Sequence, residues 1–203
     1  MQLILASASP RRRELLTQAG IAFTVEPAAI DENVLSEEAA AEYVQRLALE
    51  KAQAVWANLR ARGAEHAATV VLGADTAVVL PDGVILGKPA DAADARRMLA
   101  ALSGRTHAVM TGVAAVTANR SVVDVEITHV TMNMILPTEI DSYVASGEPL
   151  DKAGAYAIQG YAARWIPRIE GDYGNVVGLP VARVIALLAE AAEAPGESIE
   201  SGR

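Results

Sequence analysis

The chain has 203 residues, of which 52% are hydrophobic and 21% charged, and its formal net charge is −8. These values are typical of one globular domain, or of two small lobes that share a core, and they exclude a disordered chain. The acidic balance argues against sequence-independent binding to nucleic acid, which needs many phosphate-neutralising cations. The absence of cysteine excludes disulfides and thiolate catalysis, and it fits a reducing compartment.

Neither a signal peptide nor a membrane span is indicated. The N-terminus enters an apolar strand directly, without a charged segment or a small-residue cleavage site. No apolar run approaches the roughly 20 residues that a membrane helix needs. We therefore expect a cytoplasmic protein that contacts no membrane.

The first predicted elements are a strand over residues 3–6 and a helix over Arg11–Ala19. Ser9 is a favourable N-cap, Pro10 suits the first helical position, and Gly20 is placed to end the helix. An N-terminal helical turn this close to a strand end is a common place for an anion to bind.

A long helix is predicted from about Ser36 to Arg62, after an extended segment at 23–26, and Gly63 closes it. Its apolar stripe repeats every 3.6 residues and comprises Val44, Leu47, Ala48, Val55 and Leu59. Lys51 falls within this stripe. Its side chain either extends along its methylenes to solvent or reaches into a cleft.

Two β-rich runs, 68–72 and 77–80, flank the sequence "GADT", and "LPDGVIL" predicts a hairpin after them. This pattern puts Asp75 at a strand end, where a carboxylate suits metal binding or general-base chemistry. The alternative is an aspartate that only forms a turn.

The remaining elements alternate between helices and strands, which predicts a mixed α/β fold. They are a helix capped by Asp91 and ending near Leu102, paired strands over 107–117 and 121–132, a helix opened by Thr138 with Asp141 at the capping-box position, a glycine-punctuated segment, a helix over 181–193, and a frayed tail from Pro195.

Arg11, Arg12 and Arg13 occupy the first turn of the first helix. The positive end of the helix dipole disfavours basic side chains there unless an anion lies between them. The three side chains point in different directions, so at most two can converge on one ligand. Exposed, solvated arginines are the alternative interpretation.

The glycine-punctuated segment carries Glu148, Asp151, Lys152 and Gln159. Its glycines indicate either backbone close to a ligand or several tight turns. The Gln159 amide offers both a donor and an acceptor, so it either reads the edge of a base or holds a loop. The chain lacks HExxH, G-x-S-x-G and G-x-G-x-x-G motifs, which argues against a zinc protease, a serine hydrolase or a dinucleotide enzyme.

Six segments are weak evidence of function one by one, but their order along the chain is specific. They are "LASASPRRRELL", "GADTAVVL", "ILGKPAD", "LSGRTHAVMTGVA", "EPLDKAGAYAIQG" and "IEGDYGNVVGLP". Together they closely resemble the Maf family of nucleoside triphosphate pyrophosphatases over about residues 3–190. The resemblance implies a mixed α/β fold with two lobes around a central mixed sheet and a deep nucleotide cleft, related to the inosine triphosphate pyrophosphatases. It predicts one catalytic domain over residues 1–194.

The resemblance also implies hydrolysis of a nucleoside triphosphate to the monophosphate and pyrophosphate with a divalent metal, Mg²⁺ or Mn²⁺. "GADT" together with Gln159 resembles the branch that acts on dTTP and UTP. The branch that prefers 7-methyl-GTP usually shows "SDQ" where this chain has Asp75–Thr76. Two alternatives stay open: a nucleotide sensor for septum formation that does not hydrolyse, and the same reaction on a purine or modified nucleotide.

Carried over by position, the resemblance makes Asp75 the proton acceptor, and Glu32 is the candidate to share a metal with it. Positions associated with substrate choice are Arg12, Thr76 and Gln159; other polar positions of the cleft, which we assign to phosphate binding, are Ser9, Arg13, Lys51 and Lys88. We expect Arg12 to give bidentate hydrogen bonds to phosphate. Thr76 and Gln159 would together read the O4 and N3–H edge of thymine or uracil.

One position departs from the family pattern: Asp172 in "GDYGN", where serine is more usual, and no function is attached to it. A homodimer is the expected oligomeric state for such an enzyme.

Overall fold

The computed structural model describes residues 1–192, and within them seven strands form one mixed sheet. Their bounds are β1 Gln2–Leu5, β2 Thr24–Val25, β3 Thr69–Val79, β4 Ile85–Leu86, β5 Thr106–Val116, β6 Ser121–Thr131 and β7 Arg168–Glu170. The order across the sheet is β2–β1–β3–β5–β6–β7, and β4 pairs with β3. β1 runs parallel to β2 and β3, and the other pairs are antiparallel.

The described helices are α1 Pro10–Gln18, α2 Ala40–Ala61, α3 Ala92–Leu102, α4 Pro137–Ala145, α5 Tyr173–Val177 and α6 Val181–Ala192, with 3₁₀ turns at Glu148–Asp151, Ala153–Ala155 and Tyr161–Trp165. The predicted mixed α/β class is therefore confirmed. None of the helices within residues 1–192 is both long and apolar enough to span a membrane. The domain end predicted at residue 194 and the tail from Pro195 lie outside the described residues.

Apolar side chains of the sheet alternate between two layers of helices. α2 covers one face through Ala48 and Val55, which contact the cluster around Val71 and Ala114. Side chains of α1 and α6 pack with Leu72 on the opposite face. A further core lies where α3, α4 and the 3₁₀ turns meet the far ends of β3 and β5.

The predicted capping residues of α1 are confirmed, and the helix runs from Pro10 to Gln18, one residue earlier at each end than predicted. The Ser9 side chain accepts a hydrogen bond from the backbone N–H of Arg12 at 3.4 Å, and Pro10 is the first helical residue. Gly20 follows the helix with φ +70°, a conformation that glycine adopts at little cost. The connection from Leu5 to Pro10 is only four residues long, so the N-terminus of α1 lies close to the carboxyl end of β1.

The start of α2 was predicted too early. The helix begins at Ala40 rather than near Ser36, because Glu37 has φ +61°, which is incompatible with an α-helix. The Glu38 side chain instead bonds the backbone N–H of Leu35 and the guanidinium of Arg46. The apolar stripe itself is confirmed, since its five predicted members are all buried.

The strand prediction around Asp75 was wrong in one respect. Residues 69–79 form one continuous strand, so Asp75 lies in the middle of β3 and not at a strand end. Gly73 serves a close approach of α2 to this strand: a Cβ built there would lie 2.0 Å from the backbone oxygen of Ala48 in α2. A Cβ built on Gly112 of β5 would likewise lie 2.1 Å from the backbone oxygen of Val44 in α2.

The helix predicted to open at Thr138 begins one residue earlier, at Pro137. The capping interaction is made by the Glu139 carboxylate, which accepts the backbone N–H of Leu136 at 3.2 Å, and not by Thr138 with Asp141. The glycine-punctuated segment contains β7 and α5, two short elements that local patterns did not indicate.

We predict that Gly112→Ala lowers the free energy of unfolding by about 3 kcal/mol, because a backbone oxygen cannot move aside as a side chain would. Denaturant titration measures the change. Gly87→Ala is the matched control: nothing lies within 4 Å of a Cβ built there, so the change should stay within about 0.5 kcal/mol. Equal stability of the two variants would contradict the close contact of α2 with the sheet.

Candidate active site

A cavity lies beside a gap in the sheet. β1 pairs with β3 only as far as Leu72, and β4 pairs with it only from Val78, so the intervening part of β3 has no strand neighbour on this side. The cavity in this gap has a volume of about 530 Å³. Its lining includes nearly all the sequence-predicted site residues: Ser9, Arg12, Glu32, Lys51, Asp75, Thr76, Lys88 and Gln159.

Arg13 is the one predicted site residue that does not line the cavity. Its side chain is exposed on the outer side of α1. Arg11, which was not assigned a role, lines the cavity instead and lies 3.9 Å from Asp151. The prediction that at most two of the three arginines converge on one site agrees with this arrangement.

Lys51 joins the two candidate acidic residues. Its ammonium nitrogen lies 2.6 Å from Oδ1 of Asp75 and 2.6 Å from Oε1 of Glu32. Lys51 and Asp75 are largely buried, whereas the Glu32 side chain is 53% exposed. Of the two interpretations of a lysine in the apolar stripe, the structure supports a side chain that reaches into the cleft.

The charge of Lys51 outweighs the effect of burial on Glu32. Partial burial by itself raises the pKa of the Glu32 carboxyl, but the hydrogen bond and charge of Lys51, with smaller contributions from Lys88 and Arg12, bring the pKa below its usual value. Glu32 is therefore ionised at neutral pH and is available as an oxygen ligand or a hydrogen-bond acceptor.

Two carboxylates of the cavity fit a magnesium-like ion that substrate phosphates and water would also bind. Among residues 1–192 no group of three or more His, Cys, Asp or Glu side chains could hold a metal ion. Mg²⁺ is usually bound by one or two carboxylates together with substrate phosphates and water. Glu32 and Asp75 supply two carboxylates that converge on the same point, the ammonium of Lys51.

The Arg12 guanidinium makes hydrogen bonds to four groups of the protein. Its Nε donates to the carbonyl of Gly178 at 2.9 Å, and Nη1 donates to the Ala74 carbonyl at 2.8 Å and the Ser7 hydroxyl at 3.1 Å. Nη2 donates to Oγ1 of Thr76 at 3.0 Å. Because four of its five donors are bonded to the protein, Arg12 would have to exchange partners to bind a phosphate bidentately, and that role stays a prediction.

Burial lowers the pKa of Arg12 from its ordinary value, and the nearby Asp75 charge opposes this effect. The Ala74 carbonyl that Arg12 binds belongs to the part of β3 that lacks a strand neighbour. Arg12 therefore satisfies a backbone acceptor exposed by the gap in the sheet.

The Thr76 hydroxyl is also engaged within the protein. It accepts from Arg12 and lies 2.9 Å from Oγ1 of Thr111, which donates in turn to the carbonyl of Asn175. Gln159, in contrast, has an exposed side chain with no hydrogen-bond partner among residues 1–192. Gln159 is therefore the amide at the cavity that is free to bind a ligand.

Several cavity residues were not assigned roles from the sequence. Lys152 donates to Oδ1 of Asp151 at 2.6 Å and to the backbone oxygen of Glu148 at 2.6 Å. Tyr43 donates from its hydroxyl to the Glu32 carbonyl at 3.0 Å and so anchors that loop. In the sequence, the signal for Tyr43 was its position one residue before Val44, where the apolar stripe of α2 begins.

Tyr156 forms part of the cavity wall, and its hydroxyl lies 2.8 Å from Nε2 of His107. Nδ1 of His107 is buried without a partner in the described part of the chain. Burial lowers the pKa of His107 to about 4, so the imidazole is neutral at physiological pH.

Known proteins of one family are similar to this chain over nearly its whole length. The model of the Maf-like protein family matches residues 2–191. The chain belongs to this family. Similar proteins include the dTTP/UTP pyrophosphatases of Koribacter versatilis, 51% identical over 94% of this chain and 95% of the relative, and of Moorella thermoacetica, 54% identical over 93% and 94%. That of Symbiobacterium thermophilum is 52% identical over 93% of each chain.

Asp172, where the family resemblance leads us to expect serine, has a local structural role in this Maf-like protein. The Asp172 carboxylate caps α5 by accepting the backbone N–H of Asn175 at 2.8 Å. Serine and aspartate are both favourable N-caps, so the exchange preserves the local fold.

We predict that His107 makes stability depend on pH. The pKa of His107 is about 4 in the folded chain, and its ordinary value is 6.5. Between these pH values the imidazole binds a proton in the unfolded chain but not in the folded chain, so stability falls as the pH falls. The wild type should thus lose about 2 kcal/mol more stability than His107→Gln between pH 7 and pH 4.5. Urea titrations at both pH values measure this, and parallel losses in the two proteins would show that His107 is not the responsible group.

Proposed function

We propose that this protein hydrolyses dTTP and UTP to the corresponding monophosphate and pyrophosphate. The observation that carries the proposal is the placement of two carboxylates, Glu32 and Asp75, on one lysine within a cavity that is also lined by the exposed Lys88. The printed names of the relatives, dTTP/UTP pyrophosphatase, support the same activity.

In this reaction water attacks the α-phosphorus. A bond forms between the water oxygen and the α-phosphorus, the bond from the α-phosphorus to the bridging oxygen breaks, and pyrophosphate leaves with that oxygen. Asp75 takes the proton of the attacking water as general base. The ion pair with Lys51 fixes the orientation of the Asp75 carboxylate, because the two groups are 2.6 Å apart.

The triphosphate binds between the N-terminus of α1 and two lysines. The Ser9–Arg11 backbone offers the positive end of the helix dipole. Lys88 is exposed at the cavity and has no ion-pair partner among the described residues, so its ammonium is available to a phosphate. Lys51 supplies a second point charge that phosphate oxygens can share with the carboxylates.

Glu32 and Asp75 are the residues that would hold Mg²⁺ or Mn²⁺ in this site. When bound, the metal would neutralise phosphate charge and lower the pKa of a bound water. Most of the acceleration then comes from positioned charges rather than covalent catalysis, as in other phosphoryl-transfer enzymes.

Gln159 is the residue that we assign to base recognition. Its amide can donate to O4 and accept from N3–H of thymine or uracil, whereas cytosine presents the reverse pattern. The Thr76 hydroxyl is bonded to Arg12 and Thr111. Thr76 therefore contributes to selectivity through the fixed position of its side chain and not through a free hydroxyl. We further propose that the enzyme acts on free nucleotides in the cytoplasm; the homodimer stays a prediction.

Replacement of Asp75 separates catalysis from sensing. We predict that Asp75→Asn lowers kcat for dTTP by at least about 100-fold, because the amide cannot take the proton, while nucleotide binding persists. Pyrophosphate release and calorimetric titration with dTTP measure the two properties. Asp141→Asn is the matched control, since Asp141 pairs with Arg96 outside the cavity and should leave turnover unchanged.

Unchanged turnover in Asp75→Asn would contradict the assigned role of Asp75. A wild-type protein that binds nucleotides without hydrolysing any of them would instead favour the sensor of septum formation. Turnover of purine or modified nucleotides alone would keep the reaction and overturn the base assignment.

A further inference from the structure

The position of Gln159 depends on a backbone turn, because its side chain has no hydrogen bond to hold it within residues 1–192. The turn runs from Ala157 to Tyr161, and the N–H of Gly160 donates to the Ala157 carbonyl at 3.1 Å. Whatever fixes the two ends of this turn therefore fixes the direction in which the amide of Gln159 enters the cavity.

Two side chains, Tyr143 and Glu148, hold both ends. The hydroxyl of Tyr143 accepts the backbone N–H of Ala157 at 3.3 Å and donates to Oε1 of Glu148 at 2.9 Å. The same carboxylate oxygen accepts the backbone N–H of Tyr161 at 3.2 Å. These three hydrogen bonds connect the start of the turn to its end through the Tyr143–Glu148 pair.

Gly160 shows how closely the pair fits the turn. A Cβ built on Gly160 would lie 2.0 Å from Oε1 of Glu148, so any larger residue would displace the carboxylate. The glycine therefore serves this contact rather than an unusual backbone angle, since its φ is −107°.

The pair is itself held rigidly by aromatic packing. Tyr143 is 2% exposed, its ring stacks on that of Tyr161 with centroids 5.6 Å apart, and the Trp165 ring meets it edge-on at 5.3 Å. Burial raises the pKa of Tyr143 well above its ordinary value, and Glu148 adds to the effect. The hydroxyl consequently stays protonated and keeps donating.

We propose that Tyr143 and Glu148 are positioning residues for base recognition: they fix the Ala157–Tyr161 turn so that Gln159 presents its amide to the pyrimidine. The proposal rests on the proposed function, in which Gln159 reads the base. Neither Tyr143 nor Glu148 lines the cavity, so their effect on selectivity passes through the turn.

The test compares kcat/KM for dTTP and for CTP in matched variants. Tyr143→Phe keeps the ring but removes the hydroxyl that joins Ala157 to Glu148, and it should lower the dTTP/CTP ratio by about tenfold, mainly through KM for dTTP. Tyr161→Phe is the control: it removes a hydroxyl from the same aromatic cluster, but that hydroxyl contacts Arg164 and not the turn. The dTTP/CTP ratio of kcat/KM in Tyr161→Phe should equal that of the wild type.

Two further variants separate positioning from general destabilisation. Gly160→Ala keeps both side chains and displaces the Glu148 carboxylate, so it should reduce the ratio as Tyr143→Phe does. Adding Tyr143→Phe to Gln159→Ala should cause no further loss of selectivity, because the residue being positioned is already absent. Amide hydrogen exchange at Ala157 and Tyr161 should be faster in Tyr143→Phe than in the wild type, whichever nucleotide is present.

The outcomes distinguish the two proposals. A wild type that does not prefer dTTP to CTP overturns base reading by Gln159. A wild-type preference that survives Tyr143→Phe and Gly160→Ala overturns the positioning role alone. An additive loss in the double variant also overturns it, because the pair would then act on selectivity by a route other than Gln159.

Discussion

The site depends on one contact, between the ammonium of Lys51 in α2 and the carboxylate of Asp75 in β3. Both side chains are largely buried. Without Lys51, Asp75 would be an uncompensated charge in the interior, at a cost of about 3–5 kcal/mol. The contact requires the helix to lie directly against the sheet, and Gly73 and Gly112 make this possible because their missing Cβ atoms leave space for the backbone of α2. The same lysine draws Glu32 from an exposed loop to the cavity.

The second constraint is the gap in the sheet between the end of β1 and the start of the β4 pairing. An interrupted sheet leaves backbone carbonyls without partners, and Arg12 satisfies one of them, Ala74, while it also binds Thr76 and Gly178. The arginine thus closes the inner wall of the cavity and links α1 to the segment before α6. The phosphate-binding charges that remain free lie nearer the opening, on Lys88 and at the N-terminus of α1.

Much of the fold was predictable because local signals and tertiary packing agree. Ser9 and Gly20 define α1, and the 3.6-residue stripe defines the buried face of α2. The prediction failed at β3, where Gly73 and Asp75 locally disfavour a strand. Their reasons for being there are non-local, since Gly73 admits α2 and Asp75 is balanced by Lys51.

The predicted site residues came mainly from the family resemblance, and eight of them line one cavity. The chemistry of Arg12 was not predictable, because nothing in "SPRRR" indicates that its acceptors are carbonyls at positions 74 and 178. The Tyr143–Glu148 pair was missed for the same reason: its partners are backbone amides 13 or 14 residues away.

The most direct measurement is product analysis with dTTP, UTP, CTP, GTP, 7-methyl-GTP and ITP, each with and without Mg²⁺. We expect metal-dependent release of pyrophosphate and monophosphate from dTTP and UTP, with the other nucleotides at least about tenfold slower. Release of orthophosphate, or turnover confined to the purine nucleotides, would contradict it.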